Sequence, residues 1–532
     1  MPVEELQQSF GGGQRDRDHP SLLAENEYYK GVNLDGREGG AGKTRQGWRS
    51  NTIIGTGGNF QGAGYFTPTT GTPFIIQVND GKFYKWDGSS QTWTRVGTVQ
   101  LNNVTGMVTM AVLANKLFVA CGVVDNCHSW DGIAAEFTDE GNTNADAPRG
   151  NLIWMQSDRL CMAGVDSVAT VSAAQNYVFF SDINDGTTWD RTTSLKRVPT
   201  QTGDPVTGGA AYRNEEILVF TRNSTHLFNI TGSSVTSFTR TTVSTHEGCI
   251  AHNTITPVGD DCYFMSSDRH IRTVKRTVAD ISLGVSVPIS YFNDNLMSRI
   301  HEVSATRCAG VFFDNYYLLG CPLDGDQEDG STTISTTNNN VIAFDNLQQK
   351  QGVSGAIPAC YGEWTNIDAG QFVVGYFNGR SKLYFIDSQD GNCKEMFAAQ
   401  HDDGIYPPVT IKTRGFSWGA PNFDKTAHSL DFQLLETFGT FVVSYAKDDG
   451  AFTQLLSTTI SGSGATLPLT LPFTLTAAGI LSKLPIRMYR KGRSRYWQLK
   501  LEHTGGVLIL KQLTMRAFVE QIVTRSLQIA TP

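Results

Sequence analysis

The sequence predicts an all-β protein built around an irregular β-propeller. Short apolar and aromatic runs alternate with turns rich in Gly, Asp and Asn, which is the pattern of strands joined as hairpins. The 532 residues include 54 Gly and are 39% hydrophobic, so the chain has enough apolar material for large cores. Helical periodicity is nearly absent. These observations favour a β fold of many short strands over a helical bundle.

Residues 1–50 differ in composition from the rest of the chain. They hold 15 charged residues and 9 Gly, so we expect them to be too polar to build a core alone. Spaced apolar residues still follow one another along this stretch. A polar segment with spaced apolar side chains predicts an extended assembly arm, whose apolar side chains (the anchors) contact another surface. The candidate anchors are Phe10, Leu22, Leu23, Tyr28, Tyr29 and Trp48.

Residues 51–404 repeat one kind of hairpin unit without repeating one sequence. In Phe74–Val96, for example, turns at Asp80-Gly81 and Asp87-Gly88 separate three strands. About seven such units follow one another at the period of propeller blades, so we predict about six to eight blades. A two-sheet sandwich is the rival interpretation. We disfavour it because one sandwich does not accommodate about 20 or more strands.

Residues 405–532 predict a C-terminal β-sandwich with a terminal tail. The run 497–501 alternates apolar Trp497, Leu499 and Leu501 with polar residues, as expected for a strand with one buried face. The Pro-, Gly- and Thr-rich stretch 461–479 predicts a long loop inside this domain.

Charge and cysteine content exclude several classes of protein. The net charge of −8 disfavours a general nucleic-acid coat or a binder of anionic membranes. No run of apolar residues reaches membrane-spanning length, and the acidic start lacks a signal core, so we expect a soluble chain made in a cytoplasm. Nine irregularly spaced Cys residues predict reduced, buried thiols rather than a disulfide framework.

Two segments contain part of the sequence motif of a known binding site. Gly39–Thr44 ends in Gly-Lys-Thr like a phosphate-binding loop, but Arg37 stands where that motif needs Gly, and no strand–helix context surrounds it. His246, Cys249 and His252 are capable zinc ligands, yet a fourth ligand is not evident. We therefore predict no cofactor and no metal at either place.

The segment Asp182–Trp189 is similar to the Asp-box turn of sialidase-like propellers. It departs from that pattern at Asp182 and Asn184. Such a turn is structural: a polar side chain fixes the hairpin and Trp packs between blades. It supports the propeller and does not identify a catalytic carboxylate pair.

A cationic run near the C-terminus stands out against the acidic average. It can be a solvated strand and turn, or a contact in which Arg pairs with a partner's carboxylates. Direct DNA contact is less favoured because few aromatic residues are interleaved. The candidate contact residues are Arg487, Arg490, Arg493 and Arg495.

The order of an anchored arm, a degenerate propeller and an Arg-rich sandwich resembles the β-propeller tail proteins of short-tailed bacteriophages. These are the nozzle or head-to-tail completion ("packaged DNA stabilisation") proteins. The motifs that carry the resemblance are Phe10-Gly11-Gly12, Gly31-Val32-Asn33, Arg45-Gln46-Gly47, Gly81–Gly88, Val178–Trp189 and Lys491–Arg495.

The resemblance implies a structural virion protein of the tail, assembled in the host cytoplasm, rather than an enzyme. It implies a homo-oligomeric ring, a hexamer, that lines or closes the DNA exit channel. Portal or adaptor proteins and tail fibres or spikes would be its neighbours, and genomic DNA would pass without sequence-specific binding. The alternative is a carbohydrate-active propeller, a glycosidase or lectin, that acts on host-surface glycan.

Overall fold

The computed structural model describes most of the chain, namely 2–7, 9–52, 58–90, 92–143, 146–164, 174–200, 203–282, 287–352, 355–460, 482–488 and 491–519. It is 53% strand and 7% helix, so the predicted all-β class is confirmed. No helix in these ranges combines the length and the apolar character needed to cross a membrane.

Six short strands form the N-terminal segment, which we call the arm (residues 2–52). They are β1 (Val3–Gln7), β2 (Gly13–Gln14), β3 (Glu27–Val32), β4 (Leu34–Asp35), β5 (Gly42–Thr44) and β6 (Gly47–Thr52).

Five blades follow in chain order, each an antiparallel sheet of its own. Blade 1 holds β7 (Phe60–Phe66), β8 (Phe74–Asn79), β9 (Lys82–Trp86) and β10 (Thr94–Gln100). Blade 2 holds β11 (Thr109–Leu113), β12 (Lys116–Ala120), β13 (His128–Trp130) and β14 (Thr138–Asp139), followed by helix α1 (Glu140–Thr143). Blade 3 holds β15 (Leu152–Gln156), β16 (Arg159–Ala163), β17 (Tyr177–Asp182), β18 (Asp185–Trp189) and β19 (Leu195–Arg197). Blade 4 holds β20 (Val206–Tyr212), β21 (Glu216–Thr221), β22 (Thr225–Asn229) and β23 (Thr239–Ser244). Blade 5 holds β24 (Thr256–Val258), β25 (Asp261–Met265) and β26 (Ile271–Thr273), followed by helices α2 (Val274–Ser282) and α3 (Asp294–Ser298).

The propeller closes through a sixth blade and through four strands that belong both to the propeller and to a C-terminal sheet, which we call the shared sector. The shared sector is β27 (Ala309–Phe313), β28 (Tyr316–Cys321), β29 (Asn340–Gly352) and β30 (Gly355–Thr365). Blade 6 is β31 (Ala369–Phe377), β32 (Arg380–Asp387) and β33 (Cys393–Ala399), with β6 of the arm as its outermost strand. The innermost strands contact one another in the order β7, β11, β15, β20, β24, β27, β31 and back to β7. Six blades are therefore separate sheets, and the shared sector completes the circle.

Small residues let the innermost strands approach one another. A side chain at Gly62 would lie 2.3 Å from the Val108 carbonyl oxygen, and one at Gly209 would lie 2.4 Å from the Trp154 ring. These strands contain no Asp, Glu, Lys or Arg, so they contribute no charged side chain to the centre of the propeller.

The remaining strands build two facing sheets at the C-terminal end. They are β34 (Val409–Thr413), β35 (Lys425–Leu434), β36 (Gly439–Lys447), β37 (Thr453–Ile460), β38 (Ser482–Arg487), β39 (Arg493–Ser494), β40 (Trp497–Thr504) and β41 (Ile509–Val519). One sheet continues the shared sector in the order β27-β28-β29-β30-β3-β34-β40-β36-β37, and the other runs β38-β35-β41-β5-β4. Side chains of both sheets, such as Phe432 and Phe441, share one buried core.

The strand pairing contradicts the prediction that residues 1–50 are separate from the folded domains, whereas the boundary at residue 404 stays a prediction. Strand β3 of the arm lies between β30 and β34, β1 pairs with β41, and β6 pairs with β33. The arm is therefore part of both folded bodies rather than a separate segment. The polar composition of residues 1–50 indicated that they could not build a core. They need none of their own, because the strands beside them supply it. Gly42–Thr44, the end of the phosphate-loop-like motif, is strand β5.

Candidate assembly interface

Four of the predicted arm contacts are interior residues. Phe10 and Tyr28 are fully buried in the core shared by the two C-terminal sheets, and Leu23 is also buried. Trp48 packs in the core between the shared sector and blade 6, and its indole N–H donates to the Asn366 carbonyl at 2.9 Å. These four side chains hold the arm to its own chain, so the prediction that they contact a partner is wrong.

Two predicted arm residues do reach the surface. Leu22 is 70% exposed on the 3-10 turn Pro20–Leu22. The Tyr29 ring is partly exposed, and its hydroxyl donates to the Glu328 carboxylate at 2.8 Å. Burial and that carboxylate raise the pKa of Tyr29 above its ordinary value. Among the predicted arm contacts, Leu22 is an exposed apolar side chain that a partner could contact, and its assembly role stays a prediction.

A buried arginine explains two motifs of the arm. The Arg45 guanidinium forms a bidentate ion pair with Asp402, at 2.9 and 2.6 Å, and both side chains are almost fully buried. Its Nε–H donates to the Asn33 amide oxygen at 2.9 Å, and its remaining N–H groups donate to the carbonyls of Gln46 and Thr365. All five donors of the guanidinium are thus satisfied. This network, the Arg45 hub, joins the arm to the end of the shared sector and to the segment that follows blade 6.

A second charged cluster lies where the arm, the shared sector and β34 meet. The Lys30 ammonium pairs with Asp326 and Asp329, and Lys412 pairs with Asp329 at 3.0 Å. These cations hold the pKa of Asp329 down, to about 2, against the desolvation that raises it. The cluster borders a polar groove lined by Asp16, Tyr29, Asn295 and Glu328 among others. Lys30, Lys412 and their carboxylate partners are held in ion pairs, and Asp16 accepts hydrogen bonds from Gln14 and from backbone N–H groups of α3, so we assign the groove a structural role.

The cationic run forms one edge of the smaller sheet. Arg487 on β38 lies opposite Ser429, and Arg493 on β39 lies opposite Thr426, so both follow the same side of β35. Arg487, Arg493 and Arg495 are exposed, and Arg490 lies outside the described residues. The structure therefore places these three arginines at the surface, as a contact with a partner requires.

Trp-Asp turns recur in the first blades, and the sequence reading did not recognise them as a repeat. In Trp86-Asp87-Gly88 the indole donates to the Ser90 carbonyl, and the carboxylate accepts from two backbone N–H groups. Trp130-Asp131-Gly132 of blade 2 repeats both contacts. The shared Trp-Asp-Gly letters are the signal that could have revealed this repeat. Those backbone donors hold the pKa of each Asp below its ordinary value.

The Asp-box-like turn has the structural role predicted for it. The Asp185 carboxylate accepts from the Thr187 N–H at 2.8 Å and fixes the β17–β18 hairpin. Trp189 is buried beside Phe118 of the preceding blade. The polar groups of this turn are used to hold backbone.

The His246–His252 cluster does not converge on one point. The Cys249 thiol contacts the Ala251 carbonyl and the Thr254 hydroxyl, and burial raises its pKa to about 11, so it is a neutral thiol at pH 7. Burial lowers the pKa of His252 to about 4. Metal binding needs a thiolate. In the described ranges, no three His, Cys, Asp or Glu side chains are grouped to hold a metal ion.

Comparison with known proteins gives one family match. Residues 53–317, about half of the chain, match the family described as "Bacteriophage P22 Gp10, beta-propeller". No curated protein matches the chain at a significant level.

Solved structures show only distant likeness. A chain of the mitotic checkpoint complex aligns with 10% identity and a TM-score of 0.41, over 66% of this chain and 93% of that one. PorZ of Porphyromonas gingivalis aligns with 12% identity and a TM-score of 0.36, over 72% and 44%. An exo-beta-1,3-galactanase from Phanerochaete chrysosporium aligns with 10% identity and a TM-score of 0.27, over 89% and 100%. Likenesses this weak carry no inference about function.

Proposed function

Because this chain belongs to the bacteriophage P22 Gp10 β-propeller family and is a phage structural protein, we propose that it forms a ring below the portal. The ring is a homo-hexamer in the virion tail, assembled in the host cytoplasm, that lines or closes the DNA exit channel as a nozzle or head-completion protein. Portal or adaptor proteins lie on one side of it, and tail fibres or spikes on the other. The family match carries this proposal.

The surface of the folded chain is compatible with that role. An acidic chain of net charge −8 does not neutralise many phosphates, so DNA can slide past it without tight binding. The exposed arginines 487, 493 and 495 lie on one domain and suit carboxylates of a neighbouring protein. The proposal includes no catalytic residue, cofactor or metal. We do not advance the carbohydrate-active alternative, because the family match is to a phage propeller and the near-Asp-box turn does not identify a catalytic carboxylate pair.

The oligomeric state tests the ring directly. We expect the purified protein, alone or with portal-complex components, to reach the mass of a closed ring by light scattering and to show six-fold rings by electron microscopy. A protein that stays monomeric under both conditions contradicts the proposal. Release of sugar from host glycan by the purified protein would contradict it in favour of an enzyme.

The exposed arginines provide a test of the assembly contact. We expect the double change Arg493→Glu and Arg495→Glu to leave the isolated protein folded and to reduce its incorporation into particles at least tenfold. Exposed charges contribute little to stability, whereas a mismatched ion pair at an interface costs about 2–5 kcal/mol. Quantitative blotting of purified particles, with melting curves of the free protein, measures both effects.

The matched control reverses two exposed arginines of the propeller edges, Arg197 and Arg240. It adds the same negative charge at a distance from the cationic edge, so incorporation should stay normal. Equal loss in both double variants would show that net charge, and not this edge, limits assembly.

A further inference from the structure

Strand β37 (Thr453–Ile460) ends the larger sheet and has one partner in the described part of the chain. It pairs with β36 along its whole length, from Thr453 opposite Tyr445 to Ile460 opposite Gly439. Its other side is the last position of the sheet. An edge strand presents unpaired backbone N–H and C=O groups, which are a template for another strand.

The other long outer edges described in the structure carry the features that prevent strand addition, and β37 does not. The edge strand β10 contains Arg95 and a left-handed Gly97, and β23 contains Arg240. The edge strand β38 contains Lys483, Pro485 and Arg487. The eight residues of β37, TQLLSTTI, include no charge, Gly or Pro. Charges and prolines at edges are how proteins exclude a pairing partner, so nothing in the described ranges closes this edge to one.

The core beneath β37 is also incompletely covered. Phe441 and Val443 of β36 are fully buried, whereas Leu455 and Leu456 of β37 are only partly buried against the same core. A further strand beside β37 would take the apolar surface of these two leucines out of water. Removal of that apolar surface from water favours the pairing.

The stretch predicted as a long loop, 461–479, lies outside the described residues, and part of its sequence has the alternation of a matching strand. Residues 467–475, LPLTLPFTL, place Leu or Phe at every second position and Pro at 468 and 472 between them. Successive residues of a strand direct their N–H groups to opposite neighbours. Both prolines fall on the same side, so a strand of this sequence could pair through its odd-numbered residues and would resist pairing on its other side.

The connection to this segment is long enough to reach a neighbour. Ile460 and Ser482 lie opposite Gly439 and Leu434, which are close in sequence, so both ends of the connection leave one end of the domain. Facing sheets are about 10 Å apart, a gap that three or four extended residues would span. The residues 461–481 far exceed that need.

Resting on the proposed ring, we propose that the free edge of β37 accepts residues 467–475 of the next copy of this chain. The acceptor and the donor are different segments, so each copy gives one strand and receives one. Such a head-to-tail contact is heterologous and generates a closed ring when the rotation between copies fits.

Two half-defective variants test this exchange. In the first, Ser457→Lys with Thr459→Lys places charges on two exposed positions of β37 and blocks the acceptor. In the second, a Gly-Ser linker of equal length replaces residues 467–475 and removes the donor. We expect each variant alone to fold, with the circular dichroism spectrum of wild type, and to remain monomeric. Mixed together, they should form a 1:1 dimer and nothing larger, because one intact acceptor meets one intact donor.

The control places the same charges on another outer edge, as Thr239→Lys with Thr241→Lys on β23, and should leave the ring intact. Light scattering and native mass spectrometry measure the masses. Rings formed by either half-defective variant, or no dimer on mixing, would overturn the exchange and leave the proposed ring standing. A wild-type protein that forms no ring would instead overturn the proposed function.

If either half-defective variant fails to fold, crosslinking answers the same question. All nine native Cys are buried, so copies with Thr459→Cys can be mixed with copies carrying Thr470→Cys and treated with a short bis-maleimide. A crosslinked dimer supports exchange between copies. In the double variant, a crosslink confined to single chains, or no dimer in the mixture, overturns it.

Discussion

At the scale of single residues, the Arg45 hub shows how a polar segment becomes part of a folded body. An arginine without solvent contact is stable only when a carboxylate and carbonyl groups meet every donor, and Asp402, Asn33, Gln46 and Thr365 do so. The sequence resemblance had singled out Asn33 and Arg45 as letters of a pattern. In the structure, these two residues hold the arm against the end of the shared sector.

We therefore expect Arg45→Met to lower the free energy of unfolding by about 3–5 kcal/mol, because it leaves the buried Asp402 charge unpaired. The matched control is Lys43→Met, two residues away, whose partner Glu38 is 71% exposed. That surface pair contributes about 0–1 kcal/mol. Urea unfolding of both variants measures the difference, and equal destabilisation would contradict the role of the hub.

The buried carboxyl of Asp16 predicts a dependence of stability on pH. Burial raises its pKa to about 6, against hydrogen bonds from Gln14 and backbone N–H groups of α3 that lower it. The folded state then holds the proton more tightly than the unfolded chain. The stability that Asp16 contributes is complete below about pH 4 and is lost as the pH rises through 6.

We expect the melting temperature of wild type minus that of Asp16→Asn, both measured at the same pH, to be larger at pH 4.5 than at pH 7. Thermal melts across that range measure it. Asp18→Asn is the control, because this neighbour is partly exposed. An identical pH profile in wild type and Asp16→Asn would show that Asp16 does not titrate in this window.

At the scale of elements, the arm strands are structural members of both bodies. We expect a chain that begins at about Asn51 to fail to fold or to melt at least 10 °C lower, because β1, β3, β5 and most of β6 are lost. Their removal leaves the partners β41, β34 and β33 with unpaired edges and exposes the core around Phe10 and Tyr28. Melting curves and circular dichroism of the truncated chain measure this. A truncated chain that folds and melts like the full-length protein would support the prediction of a separate arm.

The sequence predicted strands better than it predicted their partners. The unit recognised in blade 1 begins at its second strand, at Phe74, because that strand is apolar and aromatic. The innermost strands β7 and β20 lie outside the recognised units, since close packing selects Gly and Ala there. The insertion of β3 between β30 and β34 has no local signal, because pairing across the chain depends on which edges remain free.

The candidate interface was predictable to the same extent. A run of arginines is visible in the sequence, and its surface position follows from the cost of burying unpaired charge. Whether an apolar side chain is an anchor for a partner or a core residue depends on its neighbours in space. Leu22 and Phe10 therefore looked alike in the sequence, although one is exposed and the other buried.

At the scale of the whole molecule, charge is distributed so that DNA has little to bind. The innermost propeller strands carry no charged residue, and the chain as a whole is acidic. At 150 mM salt, we expect the dissociation constant for duplex DNA to lie above about 10⁻⁴ M, which is the weak limit of non-specific DNA binding. Fluorescence anisotropy at 150 mM and at lower salt measures this. A micromolar constant that weakens steeply with salt would contradict a channel past which DNA slides.

The outermost place of β6 in blade 6 also sets an order of events during synthesis. Residues 47–52 leave the ribosome first, but their partner β33 is made only after all the earlier blades. At about 5–20 residues per second this wait lasts on the order of tens of seconds. Strand β1 waits longer still, for β41 near the other end of the chain. The first strands made are thus among the last to find their places, and an unfinished chain keeps both its propeller and its C-terminal domain open.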